Sequence, residues 1–221
     1  MSNKTAIFDM DGTLLDSMHV WINIAEKYMD QKGIRMTDDD KRAISGKLLF
    51  DMAGYFIKKY NFHMTPDEVV DDINKLVEEE YFYHIQAKPG TADFLAALKA
   101  RGISMCIATA TDRYLAEAAL KRTGLFHYFD RIFTCGEEHT DKTVPDIYIK
   151  ATEFMGNDIA NTLVFEDTLA PTKTAKAAGF PVIAIYDKWS KHNREKIESI
   201  ADEFVDDYTT LDFEAFFTKI L

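Results

Sequence analysis

Eight residues near the amino terminus, 6–13, constrain the fold of this chain more than any other stretch; their sequence is Ala-Ile-Phe-Asp-Met-Asp-Gly-Thr. The apolar run before Asp9 contains the strand-favouring residues Ile and Phe, and it predicts a short buried β-strand. Gly12 then permits a backbone turn that other residues resist. We therefore expect Asp9 and Asp11 at the carboxyl end of a strand, where open α/β sheets bind their ligands.

The two carboxylates of this stretch can serve a single chemical site. Residues two apart in an extended segment point to the same side, so Asp9 and Asp11 can share a divalent cation and face one substrate. Asp9 can act as a nucleophile if a metal ion and a lysine keep it ionised. Asp11 can pass a proton to a leaving oxygen. These residues alone are also compatible with a strand that simply ends in a polar turn, so the choice between the two interpretations depends on the rest of the chain.

The pattern of apolar residues divides the chain into two kinds of sequence. Residues 15–87 have apolar side chains at helical spacing, and Thr65-Pro66-Asp67-Glu68 carries the signals of a helix start. Over residues 1–14 and 88–221, strands and helices alternate, which predicts the α/β class with a doubly wound parallel sheet. We therefore expect a core domain formed by residues 1–14 and 88–221, with an α-helical domain, residues 15–87, inserted after the first strand.

Two further candidate residues occur near later strands. Thr109 ends a buried-type strand, and its hydroxyl, together with the backbone N–H groups of the following helix start, suits a phosphate oxygen. Lys142 comes shortly before a helix that we expect to begin at Pro145. A lysine ammonium beside Asp9 would keep that carboxylate ionised and offset the charge of a phosphate. Each feature alone is common in proteins without this chemistry, so their order and spacing carry the interpretation.

A second pair of acids follows the apolar strand 162–165. Glu166 and Asp167 lie at its end, and buried carboxylates are unfavourable unless a cation or hydrogen-bond donors meet them. Oxygen ligands that leave room for several waters suit Mg²⁺. The sequence therefore predicts a magnesium site at the same edge of the sheet as Asp9.

Four short segments, in this order, resemble the four motifs of the haloacid dehalogenase-like superfamily: Asp9-Met10-Asp11-Gly12-Thr13, Thr109-Ala110-Thr111, Lys142 with Pro145-Asp146, and Glu166-Asp167-Thr168. The resemblance spans nearly the whole chain and is to the helical-cap subgroup that includes β-phosphoglucomutase and phosphoglycolate phosphatase. It implies a Rossmann-like α/β core with an inserted helical cap. It also places a substrate-contacting loop of the cap near Lys47, shortly after Gly46, which we expect to interrupt a helix.

The resemblance also implies a role for each site residue. Asp9 would be the nucleophile and Asp11 the general acid and base. Thr109, Ala110 and Lys142 would bind the phosphate group. Mg²⁺ would be held by the side chain of Asp9, the backbone carbonyl of Asp11 and the side chain of Asp167, with Glu166 as a direct or water-mediated ligand.

The chain departs from the family pattern at three positions. Thr143 stands where a proline is usual after the motif lysine, and Pro171 stands where a glycine often follows the last acidic pair. Trp21 occupies the position of a histidine in the β-phosphoglucomutase pattern, while the nearby His19 is two residues early. The third departure favours a phosphatase over a phosphosugar mutase.

Four candidate functions can therefore be ranked by how well the sequence supports them. The first is a Mg²⁺-dependent phosphatase that hydrolyses a small phosphomonoester, such as a sugar phosphate or phosphoglycolate, through an aspartyl-phosphate. The second is a phosphosugar mutase, an isomerase with the same first step. A 2-haloacid dehalogenase needs neither Mg²⁺ nor a second acid, so Asp11 and the pair Glu166-Asp167 argue against it. A phosphometabolite-binding protein without catalysis is not supported, because the full set of catalytic residues is present.

The overall charge limits the partners of the chain. The 221 residues carry a formal net charge of −11, which disfavours nucleic acid and anionic membranes as partners, since both require basic patches. No signal peptide or membrane-spanning run is recognisable, so we expect the cytoplasm as the compartment. Cys106 and Cys135 indicate neither a disulfide framework nor a metal cluster. The expected partner is a small phosphorylated metabolite, and the oligomeric state stays open.

Overall fold

The computed structural model of the chain describes residues 4–44 and 47–220; Gly46, the predicted helix interruption, lies outside these residues. The strands are β1 Thr5–Phe8, β2 Ser104–Thr109, β3 Arg131–Thr134, β4 Thr162–Glu166, β5 Val182–Ile185 and β6 Glu203–Val205. The α-helices are α1 Met18–Trp21, α2 Ile24–Gln31, α3 Asp38–Ile44, α4 Leu49–Tyr60, α5 Pro66–Glu79, α6 Thr91–Ala100, α7 Arg113–Arg122, α8 Asp146–Phe154, α9 Leu169–Ala177, α10 Arg194–Glu198 and α11 Phe213–Ile220. A π-helical turn, Glu80–His84, extends α5, and short 3₁₀ turns lie at Phe126–Tyr128, Ile159–Asn161 and Lys191–Asn193.

The six strands form one parallel sheet in the order β3-β2-β1-β4-β5-β6. From β1 the chain builds outward through β2 to β3, and then returns to the other side of β1 to add β4, β5 and β6. The strand order therefore reverses beside β1, and such a switch point is where an open α/β sheet forms its ligand crevice. The predicted doubly wound α/β fold is confirmed, including the short edge strand β6.

Alternate residues of the central strands point to opposite faces of the sheet, and each face is covered by helices. Ile7 and Val164, which are register partners, belong to an apolar cluster that also contains residues of α8 and α9. Phe8 and Phe165 point the other way and stack at a centroid distance of 4.1 Å. Both rings contact Phe94 of α6, which in turn contacts the aromatic residues of α11. Burial of both faces explains why these strands are apolar runs instead of alternating sequences.

The chain divides into two compact units, residues 1–18 with 85–221 and residues 19–84. The first contains the sheet, and the second contains only helices. Their limits lie a few residues from the predicted boundaries at 14/15 and 87/88. No helix among the described residues is both long and apolar enough to cross a membrane.

The helical unit has a hydrophobic core and contains a buried polar cluster around Asp40. The helix start predicted at Thr65 is present, and Thr65 also forms a capping box with Glu68, because the side chain of each accepts from the other residue's backbone N–H. Asp40 has no exposed surface and accepts hydrogen bonds from the hydroxyls of Tyr55 and Tyr60, each at 2.8 Å, and from Lys59. Burial acts to raise the pKa of Asp40, but hydrogen bonds from Lys59, Thr37 and Tyr55 outweigh it and hold the pKa well below its usual range, so the carboxylate stays ionised there.

Three local predictions require correction. The helical spacing of Trp21, Ile24 and Tyr28 predicts a single helix, with Ser17 as its cap and Gly33 as its end. The structure has two helices there, α1 and α2, separated by a turn at Ile22-Asn23. Thr91 has a side chain that favours helix caps and is predicted to cap the helix that contains Phe94. It is instead the first helical residue of α6, and its hydroxyl donates to the carbonyl of Lys88 at 2.7 Å. The cap is Gly90, whose φ is +80° and whose missing Cβ would lie 2.9 Å from the backbone of Tyr208. Pro145 is the cap of α8, which therefore begins at Asp146, one residue after the predicted start.

Candidate active site

The loop after β1 is fixed by backbone hydrogen bonds, and it holds Asp9 at the centre of the sheet edge. The N–H of Asp9 donates to the carbonyl of Phe165 at 2.9 Å, which extends the pairing of β1 with β4 by one residue. The N–H groups of Leu14 and Leu15 both donate to the carbonyl of Met10, which closes the turn. The Asp9 carboxylate is buried, and Thr13 donates to its Oδ2 at 3.2 Å.

Lys142 joins two carboxylates that follow different strands. Its Nζ contacts Oδ1 of Asp9 and donates to Oε1 of Glu166 at 2.8 Å, and all three side chains are buried. The turn that carries Lys142 is stabilised without the usual proline, because the N–H of Thr143 donates to Oδ1 of Asp141 at 2.7 Å. The predicted juxtaposition of Lys142 and Asp9 is therefore present, and an aspartate-capped turn replaces proline rigidity.

Among the described residues, Asp167 is the one acid with a buried side-chain oxygen that lacks a hydrogen-bond partner. It is 2% exposed, and its Oδ2 is buried without a hydrogen-bond partner. Gly12 makes this arrangement possible, because its φ is +82° and a Cβ there would lie 2.7 Å from Cγ of Asp167. Pro171, the departure in the next helix, is the third residue of α9, where the missing N–H is one that has no partner within a helix.

Burial makes the acidic residues of β4 difficult to ionise. It raises the pKa of Glu166 to about 7, even though the ammonium of Lys142 acts in the opposite direction. Burial, reinforced by the charges of Asp9 and Glu166, raises the pKa of Asp167 well above its ordinary value. A single lysine therefore does not balance these three acids, and the site lacks positive charge.

A divalent cation would supply the positive charge that these three acids lack. One carboxylate oxygen from each of Asp9, Glu166 and Asp167 lies within 4.8 Å of the other two. The unpartnered Oδ2 of Asp167 provides a buried anionic ligand, and hard oxygen donors are what Mg²⁺ prefers. The described residues thus suit the predicted Mg²⁺, with the side chains of Asp9, Asp167 and Glu166 as the groups that would hold it.

Asp11 belongs to a separate hydrogen-bonded arrangement. Its Oδ1 accepts from the hydroxyl of Ser17 and its Oδ2 from the hydroxyl of Thr111, each at 2.6 Å. Its carboxylate is not part of the three-acid group, so a metal contact from Asp11 is expected only through its backbone carbonyl. Two hydroxyl donors fix the orientation of a group that is expected to exchange protons.

Two of the three predicted phosphate-binding residues, Thr109 and Ala110, lie at the end of β2. Thr109 has no exposed surface, and its Oγ1 accepts from the N–H of Thr111 at 3.0 Å. Ala110, between them, is exposed. In the helical unit, Lys47 is also exposed, and its contact with substrate stays a prediction.

Several residues have contacts around the site that were not predicted from the sequence. Besides Thr111 and Ser17, these are Tyr148, Tyr208 and the pair Lys88–Asp187. Tyr148 donates to Oε1 of Glu166 at 2.6 Å, and Tyr208 donates to the carbonyl of Thr13 at 3.2 Å. Nζ of Lys88 lies 3.1 Å from Oδ2 of the buried Asp187, and the two charges act in opposite directions on the pKa of Asp167. The only sequence signal for Asp187 is an acid just after an apolar strand.

Gly12→Ala is expected to weaken Mg²⁺ binding, because the new methyl group must displace the Asp167 carboxylate. The left-handed backbone adds a conformational penalty of about 1–3 kcal/mol. The measurement is calorimetric titration of the metal-free protein with Mg²⁺, together with its unfolding temperature in chelator. We expect a dissociation constant at least about tenfold higher, as is typical when a ligand loses its support.

Gly124→Ala is the matched control. Gly124 has a φ of +76°, and no atom lies within 4 Å of the position that a Cβ would occupy, so its variant carries the backbone penalty without the displacement. This variant should lose stability and keep wild-type Mg²⁺ affinity. Equal Mg²⁺ affinities in the two variants would contradict a role of Gly12 in making room for Asp167.

Comparison with known proteins identifies relatives of this site and fold. Residues 6–185 match the family described as haloacid dehalogenase-like hydrolase. The fructose-1-phosphate phosphatase YqaB of Escherichia coli is 25% identical over 179 residues, which cover 81% of this chain and 94% of that protein. The bifunctional riboflavin kinase/FMN phosphatase of Arabidopsis thaliana is 27% identical over 184 residues, or 83% of this chain. The match spans about half of that longer relative, 48%.

A solved structure shares the whole fold. The haloacid dehalogenase-like hydrolase of family IA, variant 3, from Entamoeba histolytica superposes with a TM-score of 0.83. The superposition covers 98% of this chain and 99% of that one, at 21% sequence identity. At this identity the likeness shows the fold alone.

Proposed function

Since this chain belongs to the haloacid dehalogenase-like hydrolase family and is an enzyme of it, we propose that it is a Mg²⁺-dependent phosphatase of small phosphomonoesters. One observation carries the proposal: three buried carboxylates lie together at the switch point of the sheet, two of them contact Lys142, and the third has an unpartnered oxygen. Such a site favours a cation, and a bound cation together with Lys142 would supply the positive charge that a phosphate group requires.

The first half of the reaction is assigned to Asp9 and Asp11. A carboxylate oxygen of Asp9 forms a bond to phosphorus while the bond to the leaving alkoxide breaks, and the alkoxide takes a proton from Asp11. Lys142 and Thr13 orient the Asp9 carboxylate through one contact to each oxygen. Bound Mg²⁺ would supply positive charge that stabilises the phosphoryl oxygens.

The second half releases phosphate. A water molecule attacks phosphorus, Asp11 takes the proton of that water, and the bond between phosphorus and Asp9 breaks. Ser17 and Thr111 keep the Asp11 carboxylate in place, which supports its use twice in one cycle. We assign the phosphoryl oxygens to Lys142 and to the β2 end at Thr109 and Ala110.

The substrate class follows from the relatives. The sugar-phosphate activity in the name of YqaB makes a sugar phosphate the first candidate. Phosphoglycolate, which the resemblance to the helical-cap subgroup implies, is the second. That the helical unit, with Lys47, acts as a cap that chooses among them stays a prediction.

The proposal predicts release of inorganic phosphate from a panel of phosphomonoesters in the presence of Mg²⁺. The panel contains sugar phosphates, phosphoglycolate, β-glucose 1-phosphate and an aryl phosphate, and the measured quantity is kcat/KM for each. Chelation should reduce turnover to background, and re-addition of Mg²⁺ should restore it, because the acids of the site then lack their counter-charge.

Three other outcomes would assign a different function. Conversion of β-glucose 1-phosphate to glucose 6-phosphate without net phosphate release would identify a mutase. Halide release from 2-haloacids in chelator would identify a dehalogenase. Binding of metabolites by folded, Mg²⁺-loaded protein without any turnover would identify a binding protein.

A further inference from the structure

Tyr148 places a hydroxyl group deep in an apolar cluster where a phenylalanine would pack equally well. The residue is fully buried on α8, and its ring packs edge-on against Phe180 at a centroid distance of 6.0 Å. A buried phenol is unfavourable unless it forms a hydrogen bond, so its partner accounts for its presence. That partner is Oε1 of Glu166, at 2.6 Å.

The acceptor atom is the informative detail. Lys142 donates to the same oxygen, Oε1, at 2.8 Å, so both protein donors converge on one side of the Glu166 carboxylate. The second oxygen, Oε2, receives neither of them. Two donors on one oxygen fix the rotation of the carboxylate plane and direct the other oxygen away from the donors.

Resting on the proposed function, we infer that Tyr148 is a positioning residue for the metal site, which holds Glu166 in the orientation that serves the cation. Lys142 alone does not perform this task, because its ammonium is shared between Glu166 and Asp9. Tyr148 contacts only Glu166 of the three acids, so it can fix that ligand without competing for the nucleophile. Hydrogen-bond partners of metal ligands typically contribute about 10–100-fold in metal affinity.

Tyr148→Phe removes the hydroxyl and keeps the ring. We expect the dissociation constant of Mg²⁺, measured by calorimetry on metal-free protein without substrate, to rise by about 10–100-fold. At saturating Mg²⁺, kcat/KM for the best phosphomonoester should return to within about threefold of wild type. Tyr28→Phe is the matched control, since Tyr28 is equally buried in the helical unit and its hydroxyl faces the sulfur of Met64.

A double-mutant cycle with Glu166→Gln separates positioning from general stability. If Tyr148 acts through the carboxylate, Tyr148→Phe should change the Mg²⁺ dissociation constant far less in the Glu166→Gln background than in wild type. An equal change in both backgrounds would overturn the inference, as would wild-type Mg²⁺ affinity in Tyr148→Phe. Absence of Mg²⁺ binding in the wild type would instead refute the metal requirement of the proposed function.

Discussion

Asp9→Asn is expected to abolish phosphate release and to prevent formation of any phospho-enzyme. An amide is a very poor nucleophile, and no second carboxylate of the described site has the same surroundings. Asp9 alone has Lys142 on one oxygen and Thr13 on the other. The measurement is incubation with a ³²P-labelled phosphomonoester, followed by acid quenching and peptide mapping. Label on an Asp9 peptide of the wild type and none in the variant is the expected result.

Asp11→Asn should show a different defect. Loss of a positioned proton donor reduces turnover of an alkyl phosphate by roughly 10²–10⁴-fold. The loss should be smaller for an aryl phosphate, whose leaving group needs little protonation. The phospho-enzyme formed from it should persist, because no base remains to activate water. Mg²⁺ affinity should be nearly unchanged, since the side chain lies outside the three-acid group.

Asp16→Asn provides a control from the same segment of chain. Asp16 is a half-exposed carboxylate that pairs with Lys188, so its variant removes an acidic charge from the loop region without touching Asp9 or Asp11. Its turnover should lie within about twofold of wild type, as expected for an exposed ion pair. Equal losses for alkyl and aryl substrates in Asp11→Asn, with no trapped intermediate, would contradict the division of labour. A labelled Asp11 peptide in the wild type would contradict it directly.

The sequence was sufficient for the sheet and for the acids at its edge. Parallel strands buried on both faces are apolar runs, and the polar residues that end them are brought to one edge by topology alone. This is why Asp9, Glu166 and Asp167 could be grouped from the order of residues alone. The juxtaposition of Lys142 with Asp9 likewise followed from motif order, although its own turn departs from the usual pattern.

The residues that orient these acids could not be found in the same way. Thr111 donates to Asp11 across 100 positions of sequence, and the local pattern gives no reason to prefer it over Thr109. Tyr148 looks like an ordinary core residue of an amphipathic helix, since only its hydroxyl has a polar partner. Such contacts depend on rotamers and on the approach of separate loops, which periodicity does not encode.

Some predicted helix boundaries were wrong for a related reason. Thr91 has the side chain of a good cap, and the sequence contains no warning against that role. The structure instead has Gly90 at the cap, with a φ of +80°, and the backbone of Tyr208 leaves no room for a Cβ at this position. A contact with a residue 118 positions away thus decides a local feature, as tertiary packing commonly overrides propensity.

Lys142→Met is expected to destabilise the metal-free protein strongly. The substitution leaves two buried carboxylates, Asp9 and Glu166, without the ammonium that both contact. Removing one partner of a buried ion pair typically lowers the free energy of unfolding by about 3–5 kcal/mol. The measurement is urea denaturation in chelator at pH 8. Lys176→Met, which breaks a half-exposed pair with Asp202, should lose no more than about 1 kcal/mol.

The loss in Lys142→Met should also depend on pH. Burial raises the pKa of Glu166 from its ordinary 4.5 to about 7, so the folded protein binds more protons than the unfolded chain between these values. Ionisation of Glu166 therefore lowers stability as the pH rises through this window. Lys142 opposes that pKa shift and is itself charged throughout the range, because its own pKa is raised above 10.5. The loss in free energy of unfolding caused by Lys142→Met should therefore be smallest near pH 5 and largest at pH 8.

Glu166→Gln in the Lys142→Met background tests the cause of this loss. The double variant has only one buried carboxylate, Asp9, without its ammonium partner. Gln at position 166 can still accept a hydrogen bond from the hydroxyl of Tyr148. The double variant should therefore be more stable at pH 8 than Lys142→Met alone, and the gain should shrink towards pH 5, where the glutamate is protonated. A loss in Lys142→Met that is independent of pH, or that Glu166→Gln does not reduce, would show that Lys142 contributes through packing and not through its charge.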